Sequence, residues 1–154
     1  MTQESVWDYP RPPRLELSTK AVRVLFGGQL IAQSDKAYRV LETSHPPTWY
    51  IPRGDVRMEF LEVTKKSSFC EWKGLATYWT VRVAEQIAEN CAWSYESPNS
   101  SFAPITSCLA FYPSKLQCYV DEEQVSAQPG DFYGGWITSE LVGPFKGMPG
   151  SSGW

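Results

Sequence analysis

The chain lacks most of the signatures that announce a chemistry. It has no Cys-x-x-Cys pair, and its four cysteines, Cys70, Cys91, Cys108 and Cys118, are widely separated. Neither a disulfide framework nor a zinc knuckle has that spacing, so the cysteines read as reduced thiols, with no metal and no cofactor expected. There is one histidine, His45, so any His-dependent triad has to use it. Fourteen Lys and Arg against seventeen Asp and Glu give a net charge of -3, and the basic residues are scattered. That distribution lacks the clustered positive footprint that a phosphate backbone attracts, so nucleic acid is not an expected partner. No apolar run approaches the roughly 20 residues needed to span a bilayer, and Met1-Thr-Gln-Glu-Ser5 lacks the basic-then-apolar pattern of a signal peptide. A cytoplasmic protein with no membrane partner is the expectation.

What is present is hydrophobic and aromatic. With 154 residues, 42% of them hydrophobic and 14% aromatic, the composition suits one folded domain with a substantial core. The expected division is an extended N-terminal arm over 1–18, a β domain over 19–127 and a Gly/Pro/aromatic tail over 128–154. In the arm, Trp7-Asp-Tyr-Pro-Arg-Pro-Pro-Arg14 is too proline-rich for a helix. Ala21 to Phe26 and Gln29 to Ser34 flank Gly27-Gly28, which predicts a β-hairpin, and Tyr38 to Glu42 predicts a third strand. Val56, Met58 and Phe60 alternate with Arg57 and Glu59, the period of a half-buried strand, which polar Thr64 to Ser68 then interrupts. Leu75 to Val83 and Ile87 to Tyr95 predict a second hairpin, with a short helix over Glu85 to Cys91 as the alternative. Ser97 to Pro104 reads as loop or one helical turn. Cys108 to Tyr112 and Leu116 to Val120 predict a third hairpin-like pair around Pro113-Ser114. Glycine and proline dominate beyond Gln128, where no pattern of a separate core appears.

The densest chemistry lies in Ser68 to Tyr78, where a thiol (Cys70), a cation (Lys73) and a glycine (Gly74) precede an aromatic strand. A cation near a thiol favours the thiolate, the condition for nucleophilic or redox reactivity. The other reading packs Cys70 under the turn and leaves Lys73 in an ion pair. Cys91, Cys108 and Cys118 read as buried small hydrophobes. Glu42 and Asp55 are acids flanking the His45 loop, with Arg39, Arg53, Arg57 or Lys73 as their expected partners.

An ordered series of short motifs carries a resemblance. Arg39-Val-Leu-Glu42, His45-Pro-Pro, Tyr50-Ile-Pro52, Asp55-Val56, Cys70-x-x-Lys73-Gly74, Ala92-Trp93-Ser-Tyr95 and Ala110-Phe111-Tyr112 together resemble the family called domain of unknown function 427, over about residues 20 to 125. The arm and the tail, with Gly130-Asp-Phe-Tyr-Gly-Gly-Trp136, look like those of longer bacterial members. The resemblance implies a compact all-β fold of antiparallel strands of the β-tent type, similar to the methionine-R-sulfoxide reductases and certain small zinc modules. That analogy concerns fold alone.

Trp49, Tyr50, Trp72, Tyr78, Trp79, Trp93, Tyr95, Phe111 and Tyr112 complete the picture. Period 2 sets Trp93 and Tyr95 on one strand face and separates Tyr78 from Trp79, so one face can fill a core while the other lines a concavity. Aromatic walls with a few polar groups suit a small-molecule pocket, with Glu42, Tyr50, Lys73, Tyr78, Trp93 and Tyr95 as ligand-binding residues. A competing class is an enzyme using Cys70 as nucleophile or redox thiol, Lys73 to lower its pKa and His45, Glu42 or Tyr95 to transfer protons. A third is an interaction module whose pocket and arm receive a peptide or a second copy of the chain. The tail, with Phe132, Tyr133, Trp136, Phe145 and Trp154 as anchors, is expected to wrap its own domain or a neighbouring subunit, and an exchanged tail would make a homodimer.

Overall fold

In the computed structural model, which describes residues 3–130 and 132–154, strand follows strand and the helical segments are all 3-10 turns. The N-terminal arm contributes β1 (Glu4–Ser5) and β2 (Arg14–Leu17), followed by β3 (Val22–Phe26), β4 (Gln29–Ser34), β5 (Tyr38–Leu41) and β6 (Thr48–Tyr50). Three long strands come next, β7 (Leu61–Cys70), β8 (Gly74–Val83) and β9 (Gln86–Ser94). Short strands finish the chain: β10 (Ala110–Phe111), β11 (Gln117–Val120), β12 (Glu123–Gln124), β13 (Ser126–Ala127), β14 (Trp136–Ile137) and β15 (Leu141–Val142). The fold is all-β.

Two four-stranded antiparallel sheets form the body, one ordered β10-β9-β8-β7 and the other β12-β11-β3-β4. A three-stranded sheet, β2-β5-β6, stands beside them and is tied to β10 through reciprocal Ile51 and Leu109 backbone bonds of 2.8 Å. The expected first hairpin is present, turned by Gly27 and Gly28 at φ 58° and 78°, a conformation that costs glycine little. The second is present as β8–β9, and no helix forms over Glu85 to Cys91.

Three local expectations are corrected. Val56 to Phe60 is not a strand: the backbone closes 3-10 turns at Arg53–Asp55 and Met58–Phe60, with Asp55 N–H donating to Pro52 O (2.9 Å) and Phe60 N–H to Arg57 O (3.1 Å). Thr64 to Ser68 does not interrupt a strand but lies within β7, an outer strand with a register shift between Val63 and Ser67. Its polarity is that of a sheet edge. Cys108 to Tyr112 and Leu116 to Val120 do not pair together. β10 joins β9, β11 joins β3, and the intervening turn carries the chain from one large sheet to the other.

Both ends of the chain are woven into this body. A 3-10 turn at Val6–Asp8 precedes the arm's prolines, and β2 then pairs with β5. Trp136 of the tail is 1% exposed and belongs to the main core with Val24, Ile31, Trp49, Val81 and Phe111. Phe145 packs on Val6, Tyr9 and Leu41, while Trp154 meets Trp7 edge-on at 5.2 Å. A second buried cluster, rich in aromatics, gathers Val40, Tyr50, Tyr78, Trp93, Tyr95 and Tyr112. The candidate site opens on this second cluster.

Candidate functional site

The strand period decides which rings reach the site. Tyr78 pairs with Trp93 and Trp79 with Ala92, so successive residues of β8 and β9 look to opposite sides of the sheet. Trp79 packs on the main core, whereas Tyr78, Trp93 and Tyr95 line a cavity of about 250 Å³. β5 and β6 close its second side with Val40, Thr48 and Tyr50, and Glu42, His45 and Pro46 come from the loop between them.

The third side is the turn from β7 to β8. Cys70 and Gly74 pair across it, Gly74 has φ 109°, and Asn99 braces it by donating from Nδ2 to Trp72 O (2.8 Å) and from its N–H to Lys73 O (3.1 Å). Held this way, Cys70, Trp72 and Lys73 all line the cavity. Lys73 is 8% exposed, its Nζ stands 5.9 Å from the Tyr95 ring centre and 5.7 Å from that of Phe102, and the Cys70 thiol is beside it. Among the described residues no carboxylate lies within ion-pair distance of it. Burial alone would lower its pKa, whereas negative charge on Tyr50, Cys70 and Glu42 raises it above the ordinary value, so Lys73 is a cation at neutral pH; there the protonated Tyr50 gives it no counter-charge.

The tail supplies the last wall. Gln128 closes a loop by accepting from Gly135 N–H (3.0 Å) and donating to Gly135 O (3.2 Å), and Tyr112 OH donates to Phe132 O (2.8 Å). Tyr133 meets the His45 ring edge-on at 4.8 Å. The glycines here serve close approach: a Cβ on Gly134 would stand 2.4 Å from Trp93, and one on Gly135 would stand 2.6 Å from Pro46. Phe132 is 60% exposed at the rim, so it is not an anchor as expected.

Hydrogen bonds orient the polar tips. Trp93 Nε1–H donates to Tyr50 OH (3.1 Å), and the Tyr78 and Ser68 hydroxyls are hydrogen-bonded to each other (2.9 Å). Burial pushes the pKa of both Tyr50 and Tyr95 up, so both hydroxyls keep their protons. His45 Nδ1–H must donate to Thr43 O (2.9 Å), because a carbonyl only accepts; burial keeps this imidazole's pKa below the ordinary value.

Cys70, Lys73, His45, Glu42, Tyr50, Tyr78, Trp93 and Tyr95 thus all border one cavity. Among the described residues no hydrogen bond joins His45 to Cys70. The acids differ from expectation. Glu42 faces Arg11 at 3.5 Å, Arg39 bonds Glu4 and Glu16, and Arg53 pairs with Glu96 at 2.6 Å. Asp55 borders a separate depression with Leu30 and Ala32. Cys91, Cys108 and Cys118 are buried, and burial raises the pKa of Cys91 and Cys108 to about 11. Among the described residues no group of three His, Cys, Asp or Glu could hold a metal ion. None of their helices is long and apolar enough to cross a membrane. Sequence reasoning missed Tyr133 and Phe132 as walls. The glycines around them, which allow backbone to lie on rings, were the available signal.

Fold and site together define an all-β domain with an aromatic-walled cavity that contains one buried cation. The chain belongs to the family described as domain of unknown function (DUF427), whose model matches residues 14–122. No curated protein matches the chain. The tail loop that completes the cavity lies beyond the matched residues.

Proposed function

We propose that the protein binds a small organic molecule in the cavity between β5–β6, the β7–β8 turn, β9 and the tail loop. The carrying observation is convergence: Glu42, Tyr50, Lys73, Tyr78, Trp93 and Tyr95 come from separate elements and border one partly open space. Ligand sites combine apolar, largely aromatic walls with a few placed polar groups, and this lining has that composition. The ligand-binding roles fall to those six residues.

A metabolite library screened by thermal unfolding tests the reading. A ligand at about 100 times its Kd stabilises by about 2.7 kcal/mol, a shift of several degrees. The shift is expected to shrink in Phe132→Ala, whose exposed ring can be removed without unfolding the domain, and to vanish in a folded Trp93→Leu variant. No shift from any compound, or equal shifts in all three proteins, would overturn it.

One observation favours a second reading, a Cys70-dependent enzyme. Of the four thiols, Cys70 alone borders the cavity, and the Lys73 ammonium lies beside it. In that reading Cys70 is the nucleophile, Lys73 stabilises its thiolate and His45 moves a proton.

A further inference from the structure

Given that the cavity is a ligand site, we infer that its ligand is a flat, ring-bearing monoanion whose carboxylate sits on Lys73. The inference rests on the proposed binding function and narrows it to one chemical class.

A cation removed from water needs a counter-charge, and among the described residues no carboxylate lies within ion-pair distance of Lys73. The residue is 8% exposed, and its neighbours are the Cys70 thiol and two ring faces more than 5 Å away. Without a counter-charge such a group is costly to bury, which is the condition a bound anion relieves. Glu42 shares the cavity but is drawn to Arg11, and Glu71 at the rim is exposed. A second donor stands nearby. Tyr50 OH accepts from the Trp93 indole and, with its pKa pushed up by burial, stays protonated at the cavity wall.

Three alternatives fit worse. A cationic ligand would suit aromatic walls, but Lys73 already occupies the position over Tyr95 and Phe102 and would repel it. A phosphate ester presents more charge and three oxygens, and is usually met by an arginine fork or by backbone N–H groups at a helix start. Among the described lining residues there is no arginine, and the described helical segments are 3-10 turns. A neutral ring would leave the cation unanswered. Lys73 offers a point charge, which matches one carboxylate, and Trp93, Tyr95 and Tyr112 offer flat walls for the attached ring.

The test compares benzoate with benzamide, benzylamine and phenyl phosphate, probes of similar ring and different charge. Titrations at neutral pH and low salt follow the Trp93 indole N–H signal in 15N-labelled wild-type protein. Benzoate is expected to bind about tenfold or more tightly than benzamide, the worth of one charge-assisted hydrogen bond, and more tightly than phenyl phosphate and benzylamine. Lys73→Met is expected to abolish the benzoate preference while benzamide still moves the Trp93 signal, which also reports that the variant is folded. If benzamide, benzylamine or phenyl phosphate binds wild type as well as benzoate does, the monoanion inference is overturned while the ligand site stands. A benzoate preference that survives in Lys73→Met also overturns it. If no probe moves the Trp93 signal, the ligand site itself is refuted and the inference with it.

Discussion

The sheet β7–β10 has two faces made from neighbouring residues of the same strands, and they are built to opposite ends. Val81, Val83, Ala88, Ala92 and Phe111 face the second large sheet, join Val22, Val24 and Ile31, and form a closed core. Tyr78, Trp93, Tyr95 and Ala110 face the three-stranded sheet and leave a cavity of about 250 Å³. Both faces are buried, so burial alone does not separate core from site. Side-chain chemistry does. Aliphatic groups interdigitate at the density of organic crystals. Rigid rings whose hydroxyl and indole tips must each meet a partner at fixed angles cannot all approach; Trp93 is tied to Tyr50 and Tyr78 to Ser68, and the cavity they border also takes in Lys73.

The contrast is broken most directly through the tail, which touches both sides. Trp136 stacks on Trp49 at 5.9 Å and donates from Nε1 to Phe111 O at 2.9 Å, so Trp136→Ala should cost about 3–5 kcal/mol in denaturant unfolding. Phe132→Ala, which removes an exposed ring at the cavity rim, should stay within about 0.5 kcal/mol. Similar losses for the two would show that the tail contributes to core and rim alike, and the distinction would fall.

The thiols sharpen it next. Cys70 is half-buried on the cavity side, while Cys91 and Cys118 lie in the closed core and Cys108 in the packed part of the second cluster. Near pH 8 the raised pKa values of Cys91, Cys108 and Cys118 keep those thiols protonated. Iodoacetamide followed by peptide mass spectrometry should therefore label Cys70 first, about tenfold or more ahead of the others. Equal, slow labelling of all four would remove the second reading, in which Cys70 reacts.

Much of this arrangement can be read from residue order alone, because strand periodicity is local. Alternation separates Tyr78 from Trp79 and aligns Trp93 with Tyr95, and the glycine pair at Gly27-Gly28 marks its hairpin. What escapes is decided at long range. Met58 and Phe60 alternate like a strand, yet Pro52 and the turn after it close 3-10 turns there. Glu42 finds Arg11, an arm residue 31 positions earlier, and Lys73 finds no carboxylate among the described residues although several are near in sequence. The wall made by Phe132 and Tyr133 depends on Tyr112 and on Gln128 reaching Gly135, pairings no local pattern encodes.

The smallest expected effect concerns His45, at the seam between loop and tail wall. Burial lowers its pKa from the ordinary 6.5; the Thr43 carbonyl and Glu42 pull it upward, and Arg11 and Lys146 add to the lowering. The fold therefore favours the neutral ring. The resulting stability is present above about pH 6.5 and is lost as pH falls through the lower folded value. Glu4 and Glu96 also have lowered pKa values, but their contributions are lost only below about 4.5, in a separate window. In His45→Gln the carboxamide can still donate to Thr43 O without titrating. Unfolding free energies measured from pH 7.5 to 5 should thus fall more in wild type than in His45→Gln, by about 1 kcal/mol or less. A parallel fall in both proteins would mean that His45 keeps its unfolded-state pKa, and that Tyr133 and the tail wall do not withdraw it from water.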